Sequence, residues 1–146
     1  MAKLRHLAFA TNDPDATAEF YKKAFDFKET GRTHPDNKLA TGVFLSDGTL
    51  NIAILKFKKD QLGKGLDFVG LHHFGILVDD AQATAQKLEA LGAECFLKQE
   101  ERKPATQVPG TVFEIKFRGP DGVVFDIADT VWKGAAPEHA DAVAAK

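Results

Sequence analysis

The chain has 146 residues, of which 44% are hydrophobic and 27% are charged, and its formal net charge is −2. This length is close to the commonest size of a single domain, and the apolar fraction is sufficient for a hydrophobic core. Lysine and arginine are dispersed along the chain, which argues against a nucleic-acid partner because such proteins present a basic surface. No apolar run approaches the roughly 20 residues that cross a bilayer, so we expect no membrane association.

The N-terminal segment and the cysteine content together indicate a cellular compartment. The N-terminal segment lacks the apolar stretch of a signal peptide. The single cysteine, Cys95, excludes an intrachain disulfide, and we therefore expect a cytoplasmic protein. Neither a second cysteine nor a histidine lies near Cys95 in the sequence, so we interpret this residue as a packed, small hydrophobic side chain.

The first half of the chain is predicted to begin with a strand and a helix. Residues 3–11 alternate and are rich in apolar side chains, which is typical of a strand. Asp13 and Pro14 then mark a helix start, because aspartate caps free backbone N–H groups and proline tolerates the first helical position. Apolar residues recur about every four positions up to 25–27, where the helix should end. There follow a strand at 27–30, a loop at 31–37, and strands at 39–45 and 50–57 joined by a hairpin turn at Asp47-Gly48.

The second half repeats this order of elements. A strand begins at Leu71, and a helix follows at 80–91, with Gly92 positioned to end it in a left-handed conformation. The charged loop at 98–110 contains proline and is predicted to be a lid over a site. Three further strands are predicted at 93–97, 111–117 and 123–128, with a turn at 120–122 between the last two.

Two of these strands carry the same signature, which indicates an internal repeat. His6 aligns with His73 and Asp13 aligns with Asp80, both at an offset of 67 residues. Each copy therefore has the order βαβββ, and the whole chain is predicted to be one α+β domain. We place its parts at 3–58 (first repeat), 59–69 (linker), 70–131 (second repeat) and 132–146 (a tail that forms a short helix or frays) within the single domain 1–146.

The pattern resembles the vicinal oxygen chelate superfamily, the group of glyoxalase I, methylmalonyl-CoA epimerase, extradiol ring-cleaving dioxygenases and bleomycin-resistance proteins. It is carried over residues 4–130 by His6-Leu-Ala-Phe with Asp13, by the Phe20-Tyr21 helix, by His73-Phe-Gly-Ile-Leu-Val-Asp-Asp, and by Gly-Pro-Asp-Gly-Val-Val-Phe-Asp126. Gly119 and Val123 depart from the usual final motif, and Asp126 replaces its glutamate. The resemblance implies a cup of eight mixed strands with the helices outside and a divalent metal on its inner wall.

Carried over position by position, the resemblance makes His6, His73 and Asp126 the metal ligands. Two imidazoles and one carboxylate leave adjacent coordination positions open, which is the facial arrangement of non-haem Fe(II) oxygenases. We therefore favour Fe²⁺ or Mn²⁺, with Zn²⁺, Ni²⁺ or Co²⁺ as alternatives. The fourth position of the family's isomerases and lyases falls near Asn51, which offers a weak carbonyl ligand or a hydrogen bond to substrate but cannot act as a base.

Further polar residues are candidates for the same site. Glu114, Lys116 and Arg118 alternate with aromatic and aliphatic residues and face either the solvent or the mouth of the cup. In the second case Lys116 or Arg118 would hold a substrate carboxylate, and Glu114 would replace Asp126 or serve as a base. The register of the last hairpin decides between these orientations.

Two further histidines and one tyrosine are interpreted individually. His34 is a loop candidate for acid–base chemistry. His72 is expected to point away from the cup, because neighbours on a strand point to opposite faces. Tyr21 lies on the first helix and is interpreted as a packing residue.

Three functions agree with this site, each acting on a small molecule. A dioxygenase that binds a diol and O₂ is favoured, because the sequence offers three ligands and no evident fourth. A glyoxalase- or epimerase-type lyase or isomerase is the first alternative, and it needs a carboxylate base. A metal-free binding protein like the bleomycin-resistance type is the second. For all three we expect a homodimer, since an open sheet benefits from burial.

Overall fold

The computed structural model describes residues 1–97 and 114–130. Within these ranges, eight strands and two α-helices follow the predicted order. The elements are β1 (Lys3–Ala10), α1 (Pro14–Phe25), β2 (Lys28–Arg32), β3 (Ala40–Ser46), β4 (Asn51–Phe57), β5 (Gly70–Leu77), α2 (Ala81–Ala90), β6 (Glu94–Leu97), β7 (Ile115–Arg118) and β8 (Val124–Ala128), with a 3₁₀ turn at Pro120–Gly122. The predicted lid at 98–110, the first part of the strand predicted at 111–117 and the tail at 132–146 lie outside the described residues.

All eight strands form one mixed sheet in the order β2-β3-β4-β1-β5-β8-β7-β6. The first strands of the two copies, β1 and β5, are antiparallel neighbours at its centre. Each of them pairs in parallel with the last strand of its own copy, β1 with β4 and β5 with β8. The predicted α+β class with eight mixed strands is confirmed, and the pairing places the two signature histidines on adjacent central strands.

Both helices start and end as the sequence predicts. The Asp13 side chain accepts a hydrogen bond from the Ala16 N–H at 3.0 Å, and the Asp80 side chain accepts one from the Ala83 N–H at 2.9 Å. Each cap satisfies a backbone donor that the first turn of a helix leaves unpaired. At the other end of α2, Gly92 has a positive φ of 90°, the left-handed conformation predicted for it.

The helices cover one face of the sheet and leave the other face for a cup. Buried Val43, Leu45 and Ile54 pack with Ala18 of α1, and a second cluster around buried Phe117 and Ile127 packs under α2. Cys95 joins the second cluster, and Tyr21 joins the first, as predicted for packing residues. Side chains alternate across a strand, so the neighbours of these core residues face the cup.

The cup face carries small residues near its centre. Ala8, Ala40, Ala53 and Leu55 are buried there, with the rings of Phe44 and Phe57 packed against them. These side chains give this face of the sheet an apolar lining. Neither described helix has the length and apolar character needed to cross a membrane.

Candidate metal centre

His6, His73 and Asp126 converge on one point at the centre of the cup. The Nε2 atom of His6 lies 3.3 Å from Nε2 of His73 and 3.5 Å from Oδ2 of Asp126. The distance from His73 Nε2 to Asp126 Oδ2 is 3.1 Å. All three side chains are buried, and each comes from a different central strand, β1, β5 or β8.

These donor atoms fit a single divalent ion. Metal–ligand bonds of about 2.0–2.2 Å place neighbouring ligand atoms roughly 2.9–3.6 Å apart in tetrahedral or octahedral geometry, which is the range observed here. In the described part of the chain, Oδ1 of Asp126 is buried without a hydrogen-bond partner, so this buried carboxylate lacks the full set of donors that its charge needs. Two imidazoles and a carboxylate would hold the ion and leave other coordination positions open.

Gly75 allows the three ligands to meet. It is the Cα partner of His6 across the β1–β5 pair and of Asp126 across the β5–β8 pair. A Cβ atom at this position would lie 2.2 Å from the His6 ring and 2.7 Å from Asp126 Oδ1. Only a residue without a side chain leaves this space, and sequence reasoning did not identify Gly75 as part of the site.

Lys116 of β7 also faces the centre. The register of the last hairpin pairs Lys116 with Asp126, which resolves the orientation that the sequence left open. Its Nζ atom lies 3.2 Å from Asp126 Oδ2 and 3.2 Å from His73 Nε2. Lys116 is only 3% exposed, so its charge is partnered inside the protein rather than by solvent.

Arg5 and Glu114 form a second charged pair beside the ligands. Arg5 is fully buried, and its Nη1 atom donates to Glu114 Oε1 at 3.0 Å and lies 3.2 Å from His6 Nδ1. The other oxygen of Glu114 is 3.7 Å from Lys116 Nζ. The sequence analysis missed Arg5, although the repeat offset that aligns His6 with His73 also aligns Arg5 with His72.

A β-bulge precedes each signature histidine. On β1 the register skips Arg5 between Leu4 and His6, and on β5 it skips His72 between Leu71 and His73. A bulge inserts one unpaired residue and interrupts the alternation of faces. The expectation that His72 points away from His73 is therefore wrong.

His72 is instead buried next to the ligand that follows it. Its Nδ1 atom is 2.7 Å from His73 Nδ1, and its ring stacks on Phe57 with 3.8 Å between centroids. A lysine ammonium can only donate, so His73 Nε2 accepts from Lys116. Consequently, the proton of the neutral His73 ring is assigned to Nδ1, from which it is donated to His72.

The ionisation states of the site follow from burial and charge. Burial, with the nearby Lys116 charge, lowers the pKa of His73 to about 4. Burial also lowers the pKa of His72 to about 3. Both rings are therefore neutral at pH 7, and a neutral imidazole is the form that binds metal.

Both carboxylates of the site are ionised. Burial raises the pKa of Asp126, but the nearby His6 and Lys116 outweigh it and hold that pKa well below its ordinary value. Burial and the Asp126 charge likewise raise the pKa of Glu114, but Lys116, Arg5 and His6 lower it overall. The site therefore combines two carboxylates with two neighbouring cationic side chains.

Asn51 lies beside the ligands but not at the position equivalent to Asp126. It pairs with His6 in register, and its Nδ2 atom donates to the Arg5 carbonyl at 3.2 Å. In the second copy Gly75 pairs with Asp126, and in the first copy the equivalent Ala8 pairs with Ala53. The register thus places an alanine where the sequence analysis looked for a fourth ligand.

The remaining candidates lie away from the three ligands. Arg118 donates to Glu94 at 3.1 Å, and its guanidinium lies 4.1 Å above the Phe96 ring, at the rim of the cup. His34 lies in the loop between β2 and β3, where its Nδ1 atom accepts a hydrogen bond from the Asp36 N–H at 3.2 Å. Among the described residues, the group able to share one ion consists of His6, His73 and Asp126.

Comparison with known proteins gives a curated relative from a plant. The chain is 25% identical over 146 residues to "Probable lactoylglutathione lyase, chloroplastic" from Arabidopsis thaliana, which it matches over 93% of its own length but only 37% of the relative's. It thus spans little more than a third of that relative.

Solved structures share the fold. Methylmalonyl-CoA epimerase from Streptomyces coelicolor is 21% identical, with a TM-score of 0.65 over 86% of this chain and 94% of that one. The epimerase from Mycobacterium tuberculosis is 18% identical, with a TM-score of 0.64 over 94% of this chain and 91% of that one. At these identities the likeness concerns the fold.

The family model of the Glyoxalase/Bleomycin resistance protein/Dioxygenase superfamily matches residues 3–127, which is most of the chain. The repeat, the eight-stranded sheet and the site between the two copies agree with that match. This chain belongs to the Glyoxalase/Bleomycin resistance protein/Dioxygenase superfamily.

Proposed function

We propose that this chain is a metal-dependent lyase or isomerase that moves a proton at a carbon next to a carbonyl group of a small acyl substrate. The sequence alone favoured a dioxygenase, but the similar proteins favour the alternative. One of them is named as a lactoylglutathione lyase, and two solved structures of the same fold are epimerases. The proposal takes the reaction type from these relatives and the residue roles from the site.

The observation that carries the proposal is the grouping of a carboxylate and an ammonium beside the three candidate ligands. Glu114 Oε2 lies 3.7 Å from Lys116 Nζ, which in turn lies 3.2 Å from Asp126 Oδ2. Proton abstraction next to a carbonyl needs a base and a stabiliser of the negative charge that develops on oxygen. A bound divalent ion would polarise the carbonyl oxygen as a Lewis acid.

Glu114 is the proposed base. Its carboxylate is ionised, and Arg5 holds one of its oxygens at 3.0 Å, which leaves the other oxygen directed to Lys116. The side chain is 15% exposed, so a substrate entering the cup can reach it. Glu114 would take the proton at Oε2, and Lys116 would donate a hydrogen bond to the substrate oxygen as charge develops there.

The apolar wall of the cup supports the same chemistry. Ala8, Ala53 and Leu55 are buried on this face beside Phe44 and Phe57. Small aliphatic side chains leave room for a short acyl chain, and the aromatic rings exclude water from the reacting carbon. Electrostatic interactions of Lys116 and Glu114 with a substrate are stronger in such an environment than in water.

Metal binding is tested first. Protein stripped with a chelator and reloaded with Mn²⁺, Co²⁺ or Zn²⁺ should retain about one ion per chain after desalting. His6→Ala and His73→Ala should each abolish retention, because each removes one of three protein ligands. A wild-type protein that retains no ion under any of these conditions would contradict the metal dependence.

Proton transfer is tested second, with acyl thioesters that carry an acidic α-hydrogen and with the hemithioacetal of methylglyoxal. In D₂O the wild-type protein should catalyse deuterium incorporation at the α-carbon, followed by NMR. Glu114→Gln should lower kcat about 100-fold or more, the usual contribution of a general base. The matched control Glu94→Gln changes an exposed carboxylate and should leave kcat unchanged. Oxygen consumption with catechols in the absence of exchange would favour the dioxygenase instead.

We also propose that the active form is a homodimer in the cytoplasm. Exposed apolar residues support an interface, since Leu4 is 54% exposed and Leu71 is 65% exposed. Sedimentation of the purified protein at micromolar concentration should give twice the mass of one chain. A monomer mass under these conditions would contradict the dimer.

A further inference from the structure

We propose that the ammonium group of Lys116 belongs to the metal centre. This ammonium group and the divalent ion compete for the same two ligand atoms. This inference rests on the proposed metal site and concerns how that site is filled. It assigns to Lys116 the control of metal affinity.

The geometry makes the two cations mutually exclusive. Lys116 Nζ lies 3.2 Å from His73 Nε2 and 3.2 Å from Asp126 Oδ2, and these two atoms are 3.1 Å apart. The ammonium donates to the Nε2 lone pair of His73, and that ring nitrogen has only one lone pair. A metal bound to His73 would need the same lone pair, so the hydrogen bond from Lys116 must break first.

The burial of Asp126 explains why the ammonium group of Lys116 lies beside it. Asp126 is fully buried, and a buried carboxylate without a counter-charge is strongly destabilising. Lys116 supplies that counter-charge when no ion is bound. Once an ion neutralises Asp126, the ammonium becomes a second positive charge within a few ångströms and is repelled.

Glu114 gives the displaced ammonium an alternative partner. Its Oε2 atom is already 3.7 Å from Lys116 Nζ, whereas its Oε1 atom is held by Arg5. A small rotation of the lysine side chain would exchange Asp126 for Glu114. Metal binding would thus bring Lys116 closer to the proposed base, on the side of the site that a substrate approaches.

The first test measures metal affinity in Lys116→Met, which keeps the length of the side chain and removes its charge. Calorimetric titration of chelator-stripped protein with Zn²⁺ and Mn²⁺ should give a Kd at least 10-fold lower than that of the wild type. The matched control Lys56→Met removes an exposed charge from β4 and should change Kd by less than 2-fold. An unchanged or higher Kd in Lys116→Met, with the wild type binding metal, would overturn the inference and leave the proposed function standing.

The second test works without metal. Urea unfolding of stripped wild type, Lys116→Met, Asp126→Asn and the double variant forms a double-mutant cycle. We expect Lys116→Met alone to lower the unfolding midpoint and Asp126→Asn to remove most of that loss in the double variant. Additive effects would show that the ammonium does not compensate Asp126, which overturns the inference. Strong coupling in a protein that binds no metal would show that Lys116 compensates Asp126, but it would overturn both the competition with a metal and the proposed function.

Discussion

Gly75 and His6 are partners across the central strand pair, and a Cβ atom on Gly75 would lie 2.2 Å from both Cε1 and Nδ1 of the His6 ring. The imidazole therefore occupies the space that a side chain on β5 would need. The same Cβ atom would lie 2.7 Å from Asp126 Oδ1. The absence of a side chain at Gly75 thus allows two candidate ligands, one from each copy of the repeat, to reach the same point.

Gly75→Ala should disrupt the site more than the fold. Both His6 and Asp126 must shift to accommodate the methyl group, and overpacking of this kind costs about 1–3 kcal/mol. We expect the free energy of unfolding to fall by that amount and retained metal to be lost after desalting. Gly31→Ala is the control, because its Cβ atom would lie at an ordinary 3.5 Å from the Phe44 ring. Unaltered metal affinity in Gly75→Ala would show that the ligands do not meet as described.

His72 should tune the metal affinity through His73. Its Nδ1 atom is the hydrogen-bond partner of His73 Nδ1, and groups that orient a ligand imidazole typically contribute 10–100-fold to metal affinity. His72→Phe keeps a ring for stacking on Phe57 but removes the acceptor. We expect a Kd for Zn²⁺ that is higher by about that factor, with little change in thermal stability, measured by chelator competition.

Nuclear magnetic resonance gives an independent check of the same contact. In the wild type, ¹⁵N shifts of His73 should report a hydrogen-bonded proton on Nδ1. In His72→Phe the tautomer should be kept, because Lys116 still donates to Nε2, but the Nδ1–H signal should lose its hydrogen-bond shift. An unchanged Nδ1–H signal would contradict a role for His72 in positioning His73.

Much of the fold was predictable because the two copies of the repeat carry the same local sequence signals for helices and strands. Asp13 and Asp80 were recognisable as helix caps, and the offset between His6 and His73 indicated two equivalent strands before any pairing was known. Paired equivalent strands at the centre of a sheet bring equivalent side chains together. The repeat singled out His6 and His73, whereas the ligand role of both, and Asp126 as the third ligand, came from the resemblance to the vicinal oxygen chelate superfamily.

The surroundings of those ligands were not predictable in the same way. The bulges at Arg5 and His72 change the face of the sheet on which each side chain lies, and no residue type in the sequence predicts these bulges. The orientation of Lys116 depended on a hairpin register that turn residues alone do not fix. Likewise, the choice between Asn51 and Ala53 as the equivalent of Asp126 needed the parallel pairing of two distant strands.

The stability of the metal-free protein should fall as the pH drops from about 6.5 to about 4. The pKa of His73 falls from its ordinary value of 6.5 to about 4 on folding, and that of His72 falls to about 3, in both cases mainly through burial. The unfolded chain therefore binds protons first, so acid favours unfolding across this window. Above pH 6.5 both histidines are neutral in both states, and their contribution to the pH dependence should vanish.

Urea unfolding midpoints between pH 4 and pH 8 measure this effect. In His72→Phe one of the two titrating groups is absent, so the midpoint should depend less steeply on pH in that window. The pKa of Asp126 is also depressed by folding, but its contribution is lost only at lower pH, below the ordinary range of an aspartate. A midpoint that is flat between pH 6.5 and pH 4 would contradict the burial of neutral histidines.

Asp60 should order the segment between the two copies in a pH-dependent way. Its Oδ1 atom accepts hydrogen bonds from the backbone N–H groups of Leu62, Gly63 and Lys64, and Oδ2 accepts one from Gly65 at 2.8 Å. These backbone donors, that of Gly65 first, lower the pKa of Asp60 below its ordinary 3.8. A depressed pKa means that the stabilisation is present above pH 3.8 and is lost as the pH falls through the lower, folded value.

This segment lies beside His72, because Asp60 and Leu62 line a groove together with Phe57 and His72. Asp60→Asn keeps the shape of the side chain but weakens it as an acceptor and removes its charge. We expect faster hydrogen exchange at the amides of residues 62–65 in Asp60→Asn at pH 6, with the helix amides unchanged. In the wild type, protection of these amides should fall at acidic pH relative to the intrinsic exchange rate, whereas in Asp60→Asn it should not. Equal protection in both proteins at pH 6 would show that the carboxylate does not hold the segment.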